Sequence, residues 1–535
     1  MTDTPRSVDL LVVGAGFAGL YMLHRARGQG LDTVVVEAAG GVGGTWWWNR
    51  YPGARCDVES VEYSYSFDED LQQEWEWSER YAPQPEILRY LEHVADRFDL
   101  RRDIVLGTRV TAADWDDAAG RWRITTDAAD GPAYDARFVV MATGCLSMPM
   151  TPDIPGAEDF AGTTLHTGRW PAEGVDVTGQ RVGVIGTGSS GVQSVPVLAR
   201  DAAELTVFQR TPAYTVPAHN GPLDPDEVAA IKAGYPELRE ANRQMGTAFG
   251  ARFPPNDGSA LAVEEDERTE VYERRWAAGG LPFLAAFNDL LVDPAANETA
   301  ADFVRGKVRS IVDDPEVAER LSPRQVIGCK RMCVDTGYLA TFNRANVHLV
   351  DVAETPIEAV TADGVRTTAG TTELDVLVFA TGFDAMTGAL SRIAITGRDG
   401  RRLAEEWEAG PHTYLGLAME GFPNLFTVTG PGSPSVLTNM VVSIEHHVEW
   451  IGDLLAHATE VGAERIEADH EAQEGWVEYV NAVAGITLFP TCSSWYLGAN
   501  VPGKPRVFMP LPGFPAYAEH CAHVAANGYE GFTLT

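Results

Sequence analysis

Residues 8 to 13 read VDLLVV, a short, β-branched apolar run of the kind that fills a buried strand. It opens onto the turn GAGFAG and then LYMLHRARGQG, which predicts a helix ending on glycine, before a second apolar strand, DTVVVEA, closes at Glu37. The succession repeats as QRVGVIGTGSSGVQSV, a helix to about Arg200, and the strand ELTVFQR. Two further runs, VVMATG (139–144) and LVFATG (377–382), predict buried strands that end in an Ala-Thr-Gly turn. Elsewhere the pattern becomes charged and helical, in LDPDEVAAIKAGYPELREANRQM, EEDERTEVYERRW and DPEVAERL. Residues from Val442 to about Glu460 predict an amphipathic helix. Its adjacent His446 and His447 point in different directions, which favours packing and solvent contact over a metal pair.

Each repeat carries glycines in the G-x-G-x-x-G register, where a bare backbone lets a pyrophosphate reach a helix N-terminus. The first has Gly14, Gly16 and Gly19, with Phe17 among them and Glu37 23 residues after Gly14, placed to accept hydrogen bonds from ribose hydroxyls. The second has Gly186, Gly188 and Gly191 with Thr187, Ser189, Ser190 and Gln193 alongside, and its strand ends in Arg210 and Thr211 where the first copy has Glu37. A carboxylate repels a 2′-phosphate and a guanidinium binds one. The first site therefore suits FAD or NAD, and the second suits NADPH. After Glu37 the loop AAGGVGGTWWWNRYPGARCD sets three aromatics beside the first site, a surface suited to a flat flavin. FAD is expected in the first site and NADPH in the second.

The bulk properties narrow the setting. At 535 residues there is room for roughly three or four domain-sized units. A formal charge of −35 would repel nucleic acid and anionic membrane surfaces, so neither is an expected partner. Cys56, Cys145, Cys329, Cys333, Cys492 and Cys521 form no C-x-x-C pair and no metal-spaced cluster, so reduced thiols and no metal are expected. With no signal-peptide pattern and no apolar run of membrane-spanning length, the expectation is a soluble, cytoplasmic monomer.

The segment FAGTTLHTGRWP fits F-x-G-x-x-x-H-x-x-x-W-P at Phe160, Gly162, His166, Trp170 and Pro171, and lies between the two glycine loops. Together with RYPGARCD, FQRTP, CKR, ATGFD, GPGSPS and SSWYLGANVPGKPR, it makes nearly the whole chain resemble the type I Baeyer–Villiger monooxygenases. The resemblance implies FAD, NADPH and O₂ as reagents. It also implies oxidation of a small-molecule ketone to an ester or lactone through a flavin C4a-peroxide, with sulfoxidation as a side activity. A related flavin-dependent heteroatom (N- or S-) monooxygenase is the alternative.

By that resemblance Arg331 supplies a fixed positive charge at the reaction centre and Asp57 is its acidic partner. Thr45, Trp46, Trp48, Asp57, Tyr63 and Val110 are implied as FAD contacts, and Arg55, Lys330 and Trp495 as NADP contacts. His166 is implied as a linker residue between the nucleotide domains. Candidate pocket walls are Cys145, Ser435, Val436, Leu437, Met440 and Met509. Two departures from the family pattern bear on that pocket: Cys145 itself, and the stretch PLPGFPAY with Pro510, Pro512 and Pro515, expected to stiffen a rim near Met509.

The fold class expected is α/β, with two Rossmann-like dinucleotide-binding domains and a helical insertion. The FAD domain would use residues 1–146 and 384–535, the NADP domain 147–222 and 329–383, and the helical insertion 223–328.

Overall fold

The computed structural model describes residues 4–128 and 131–535. The run that opens the chain becomes the strand Arg6–Val13, in which Leu10, Leu11 and Val12 are fully buried. It pairs in parallel with Thr33–Val36 on one side and with Pro132–Met141 on the other. Across this sheet the order is Ala394–Thr396, Val110–Asp116, Arg121–Thr126, Pro132–Met141, Arg6–Val13, Thr33–Val36, Ile104–Val105, with Leu425–Thr427 also on Pro132–Met141. Two of these strands come from the returning part of the chain. The second sheet is wholly parallel, in the order Val347–Asp351, Glu204–Gln209, Arg181–Ile185, Val376–Phe379, Thr163–His166. Parallel pairing demands long crossovers and two covered faces, which explains why these strands read as continuous apolar runs.

The α/β architecture with parallel sheet cores is as the pattern implied. Helices Phe17–Gly28 and Ser189–Asp201 follow the two glycine turns. The charged stretch beginning LDPDEV is two helices, Pro225–Ala233 and Tyr235–Arg243, broken at Gly234 with Pro236 in the first turn of the second. Glu265–Ala278 and Pro315–Leu321 fall on the other two charged stretches. The 18-residue helix Pro294–Ile311 was not foreseen. Its buried stripe mixes Ala296, Ala300, Ala301, Val304 and Val308 with the buried polar Asn297 and Arg305.

The long helix spans Met440–Val461, capped by Asn439 and ended by the left-handed Gly462. His447 is fully buried there. Its Nδ1 accepts from the Thr429 amide at 2.9 Å, so Nε2–H donates to the Tyr517 hydroxyl at 2.9 Å, which in turn donates to the Leu415 carbonyl. His446 lies edge-on to the Phe514 and Tyr517 rings. Both are packing residues. Among the described residues no group of His, Cys, Asp and Glu is arranged to hold a metal, and no helix is long and apolar enough to cross a membrane.

One expectation is corrected. Cys329 and Cys492 are not free thiols but a disulfide, with Cα atoms 5.9 Å apart across 163 residues of sequence. Spacing along the chain carries no information about that proximity. Cys56, Cys145, Cys333 and Cys521 are buried thiols.

A buried carboxyl clamps the helical insertion to the first sheet's part of the chain. Glu62 Oε1 accepts from Asn242 Nδ2 and from the Gly250 amide, both at 3.2 Å, while its backbone carbonyl accepts from Arg239 and Asn439. Burial, reinforced by the nearby Glu59 and only partly offset by these donors and Arg239, pushes the Glu62 carboxyl up to about 7. A carboxyl raised on folding contributes stability that is complete below its unfolded value near 4.5 and is lost as pH rises through about 7. Glu62→Gln keeps the acceptor and removes the titration. Thermal melts between about pH 5 and about pH 8 should therefore show the variant gaining on the wild type as pH rises; parallel profiles would remove Glu62 from this role.

Candidate active site

The two glycine turns are built alike, and the first and last glycine of each bear directly on backbone. Gly14 and Gly186 have φ of +106° and +112°, and a Cβ there would lie 2.5 Å from the Ala142 carbonyl oxygen and 2.4 Å from that of Ala380. Ala142 and Ala380 begin the Ala-Thr-Gly turns, so each such turn presses on the first glycine of one cradle. Gly19 and Gly191 bring helix against turn: an added Cβ would sit 1.8 Å from the Gly14 oxygen and 2.3 Å from the Gly186 oxygen. Gly16 and Gly188 are helix N-caps whose own position is open toward the cavity. Four strand ends thus meet at their C-terminal edges, where an α/β sheet presents its ligand crevice.

A single cavity of about 1890 Å³ runs over both cradles. On the first side Glu37 accepts from the Ala15 amide at 2.7 Å and the Ala39 amide at 2.6 Å, which fixes its carboxylate at the strand tip. Thr45–Trp48 form one helical turn; Trp46 and Trp48 face the cavity, whereas Trp47 covers Gly41 and stacks on Arg50. Trp46 donates to the Tyr63 hydroxyl at 3.3 Å, and Phe17 lies edge-on to Tyr63. Burial raises the Tyr63 phenol well above its ordinary value, so it stays protonated. Asp57 and Val110 also reach the wall.

On the second side the wall is cationic. Arg210 and Lys330 both line the cavity, and neither is ion-paired among the described residues. Burial, and then repulsion from Arg210, lowers the Lys330 pKa. Two neighbouring cations without a carboxylate suit a dianionic ligand group. Thr187 donates to the Thr211 carbonyl at 2.7 Å, and Ser189 lies 3.6 Å from the Cys333 sulfur. The Gln193 amide serves the seam: it accepts from Tyr51 at 2.7 Å and donates to the Arg55 carbonyl at 3.1 Å. Arg55 itself pairs with Glu79 at 3.0 Å.

Between the two sides stands Arg331. Its Nε and Nη2 donate to the two Asp57 oxygens at 2.5 and 2.9 Å, and Nη1 donates to the Val436 carbonyl at 2.8 Å. Burial opposes the charge, but the Asp57 carboxylate outweighs it, so the guanidinium is held more firmly protonated than a free arginine. The Phe249 ring lies 6.0 Å from the guanidinium carbon.

Not every candidate reaches the cavity. Gly19 and Gly191 act through packing behind it. Of the proposed pocket walls, Cys145, Val436 and Met440 are on the cavity, but Ser435, Leu437 and Met509 are not. Ser435 is fully buried with φ +42°, and its hydroxyl donates to the Thr429 carbonyl at 3.0 Å. Met509 lies in an apolar cluster behind the wall with Phe508 and Val436, and Pro515 occupies the first turn of the helix Phe514–Ala526. The proline stretch therefore shapes no rim; Met509 and its neighbours support the wall from behind.

The linker residues also sit off the cavity. Phe160 and Trp170 are buried against the second sheet, and a Cβ on Gly162 would meet the Asp375 oxygen at 2.3 Å. His166 Nδ1 accepts from the Gly168 amide at 2.9 Å, so Nε2–H donates to the Met150 carbonyl at 3.2 Å, and burial lowers its pKa. Among the cavity residues that the sequence did not single out, two stand out. Ser147 Oγ and Asn500 Oδ1 are buried without partners and line the cavity, as does Arg55 Nε. Asn500 lies inside the SSWYLGANVPGKPR motif, so that signal was present. Orphaned polar atoms, open glycine cradles and the cationic pair all fit a pair of dinucleotides.

Comparison with known proteins follows the same line. Residues 11–250 match a family described as pyridine nucleotide-disulphide oxidoreductase. The chain is similar to acetone monooxygenase (methyl acetate-forming) of Gordonia sp. strain TY-5, 43% identical over 99% of each chain. It is similar to the phenazine N-monooxygenase PhzNO1 of Lysobacter antibioticus, 43% identical over 98% of this chain and 97% of that one. Among solved structures it is similar to an oxidized steroid monooxygenase bound to NADP, 54% identical, covering 99% of each chain with a TM-score of 0.94.

The cradle geometry sets a paired test. Gly19→Ala, which forces Cβ into a backbone oxygen, should cost about 1–3 kcal/mol of stability. Gly188→Ala, whose added Cβ meets nothing within 4 Å, should leave the melting temperature unchanged. Denaturant melts of both variants check the contrast; equal losses would mean that the close approach at Gly19 is not what holds the turn.

Proposed function

This chain belongs to the type I Baeyer–Villiger monooxygenases, and from that premise we propose that it uses FAD, NADPH and O₂ to convert a ketone into an ester or lactone. The observation that carries this reading is the bidentate Arg331–Asp57 pair on the wall shared by the two cradles. When bound, FAD would supply the oxygen-transfer chemistry, with NADPH and O₂ as its reagents. The protein's own residues bind, orient, keep water out and place charge.

On this reading the Gly14–Gly16 turn and the helix N-terminus at Phe17 receive the FAD pyrophosphate, and Glu37 takes the ribose hydroxyls with the lone pairs its two amide donors leave free. Trp46, Trp48 and Tyr63 give flat and hydrogen-bonding surface, with Thr45, Asp57 and Val110 beside them. The Gly186–Gly188 turn, Thr187, Ser189, Ser190 and Thr211 form the NADPH cradle, with Gln193 locking it to Arg55. Arg210 and Lys330 hold the 2′-phosphate. Arg55 and Trp495 face the remaining nucleotide length.

Arg331 is assigned as the catalytic cation and Asp57 as its orienting partner. A guanidinium cannot serve as an acid at neutral pH, so it stabilises negative charge at the reacting centre without giving up a proton. Cys145, Val436 and Met440 then form the dry wall that a ketone meets. The parts are assigned as residues 1–146 and 384–535 for FAD, 147–222 and 329–383 for NADPH, and 223–328 as the helical insertion. The strand membership of the two sheets supports this division. Thioether sulfoxidation is proposed as a side activity. Likeness to a relative named for N-oxygenation favours one second reading, oxidation at a ring nitrogen; a ketone panel against N-heterocycles, followed by product mass, separates the two.

Arg331→Ala is expected to bind FAD and consume NADPH while losing ester formation by about 10²-fold or more; an unchanged ester yield would displace Arg331 from its role. Arg210→Asp is expected to raise KM for NADPH by at least about tenfold and leave that for NADH within about twofold. Equal effects on the two nucleotides would place the 2′-phosphate elsewhere.

A further inference from the structure

The disulfide lies where the mechanism does not use it. Cys329 immediately precedes Lys330 and Arg331, and both Cys329 and Cys492 line the cavity. Cys329 is buried on a segment fastened by Asn297 to Ile327 and by Tyr214 to Pro323 and Gln325. Cys492 is half-buried between the exposed Thr491 and Ser493, three residues before Trp495. Every hydrogen bond made by residues 489–495 is local, ending between residues 487 and 499. Farther along, the loop is held by Asn500 on the Phe383 carbonyl and by Lys504 on Asp384. On either side the stretch is pinned, by the Leu488 amide on the Leu291 carbonyl and by the Tyr496 carbonyl, which accepts from the Met509 amide; between these points, among the described residues, the covalent bond to Cys329 is the link that ties residues 489–495 to another part of the fold.

We propose that Cys329–Cys492 is a thiol-exchange site that sets how firmly the Trp495 loop is held beside Lys330 and Arg331. The reagent class is a small cellular thiol. Its thiolate attacks the accessible Cys492 sulfur, the Cys329–Cys492 bond breaks, and Cys329 leaves as thiolate and takes a proton. A second external thiolate then attacks the sulfur of the first in the mixed disulfide, releasing Cys492, which is protonated in turn. Overall two external thiols become one external disulfide and the protein gains two thiols. Reduction frees residues 489–495 from the segment bearing Lys330 and Arg331, and re-oxidation restores the fastening. The consequence for nucleotide binding rests on the NADPH assignment given above; the fastening itself does not.

Holoenzyme equilibrated in graded reduced-to-oxidised glutathione buffers, then acid-quenched and alkylated, reports the linked fraction by peptide mass. Hydrogen exchange of residues 489–499 should rise about tenfold as the linked fraction falls. The NADP⁺ dissociation constant, from titration of the same samples, should rise roughly tenfold with it, because the wall is no longer pre-organised. Cys492→Ser and Cys329→Ser should show the reduced values in every buffer; if either fails to fold, the wild-type glutathione series gives the same comparison. Full alkylation of both cysteines even in oxidised glutathione would overturn the proposal. So would linked enzyme that matches Cys492→Ser in both exchange and NADP⁺ affinity. Exchange that tracks linkage in a protein that binds NADP⁺ in neither form would keep the fastening and overturn the nucleotide assignment instead.

Discussion

One guanidinium organises this molecule. A buried charge is tolerated only when its donors are satisfied, and Arg331 is satisfied by parts of the chain far apart in sequence. Asp57 comes from the loop after the aromatic turn, the Val436 carbonyl from the returning chain, and the Phe249 ring from the helical insertion. The geometry of this cavity wall and the assembly of the fold are therefore the same problem. Removing the Asp57 carboxylate or the Val436 carbonyl contact leaves a buried cation short of acceptors.

What reads directly from the sequence is backbone demand. A strand that must be buried on both faces is written in Val, Ile and Leu, and a helix start that must touch a turn is written in glycine. That is why Gly14, Gly19, Gly186 and Gly191 could be placed from the text alone, together with the acidic or basic residue that closes each second strand. The Ala-Thr-Gly turns belong to the same class: their alanine carbonyls meet the first glycine of each cradle. The pairing of Arg331 with Asp57 came from the motif resemblance, not from pattern, because 274 residues separate the two.

What did not read was orientation and tertiary pairing. Ser435 and Leu437 sit in a segment next to the cavity, yet a buried turn with left-handed Ser435 leaves them off its lining, and Met509 lies behind the wall in an apolar cluster. No periodicity announces a turn of that kind. The helix Pro294–Ile311 hides because its buried face mixes small apolar residues with Asn297 and Arg305, whose burial depends on tertiary partners. The Cys329–Cys492 bond hides because cysteine spacing is one-dimensional and disulfide geometry is not. Ser147 is a small polar residue in a loop that only its unpartnered buried hydroxyl distinguishes from an ordinary turn residue, whereas Asn500 was signalled by the motif around it.

Gly53 lies at the seam between the two cradles, with φ +85°, and a side chain there would strike the Gln193 carbonyl 2.2 Å from its first carbon. At this spot main chain bears on main chain, stitched by Tyr51 and Arg55 through the Gln193 amide. A side chain at residue 53 would have to push these two backbones apart, so the Tyr-Pro-Gly turn admits only glycine where it meets the helix that follows the second glycine turn.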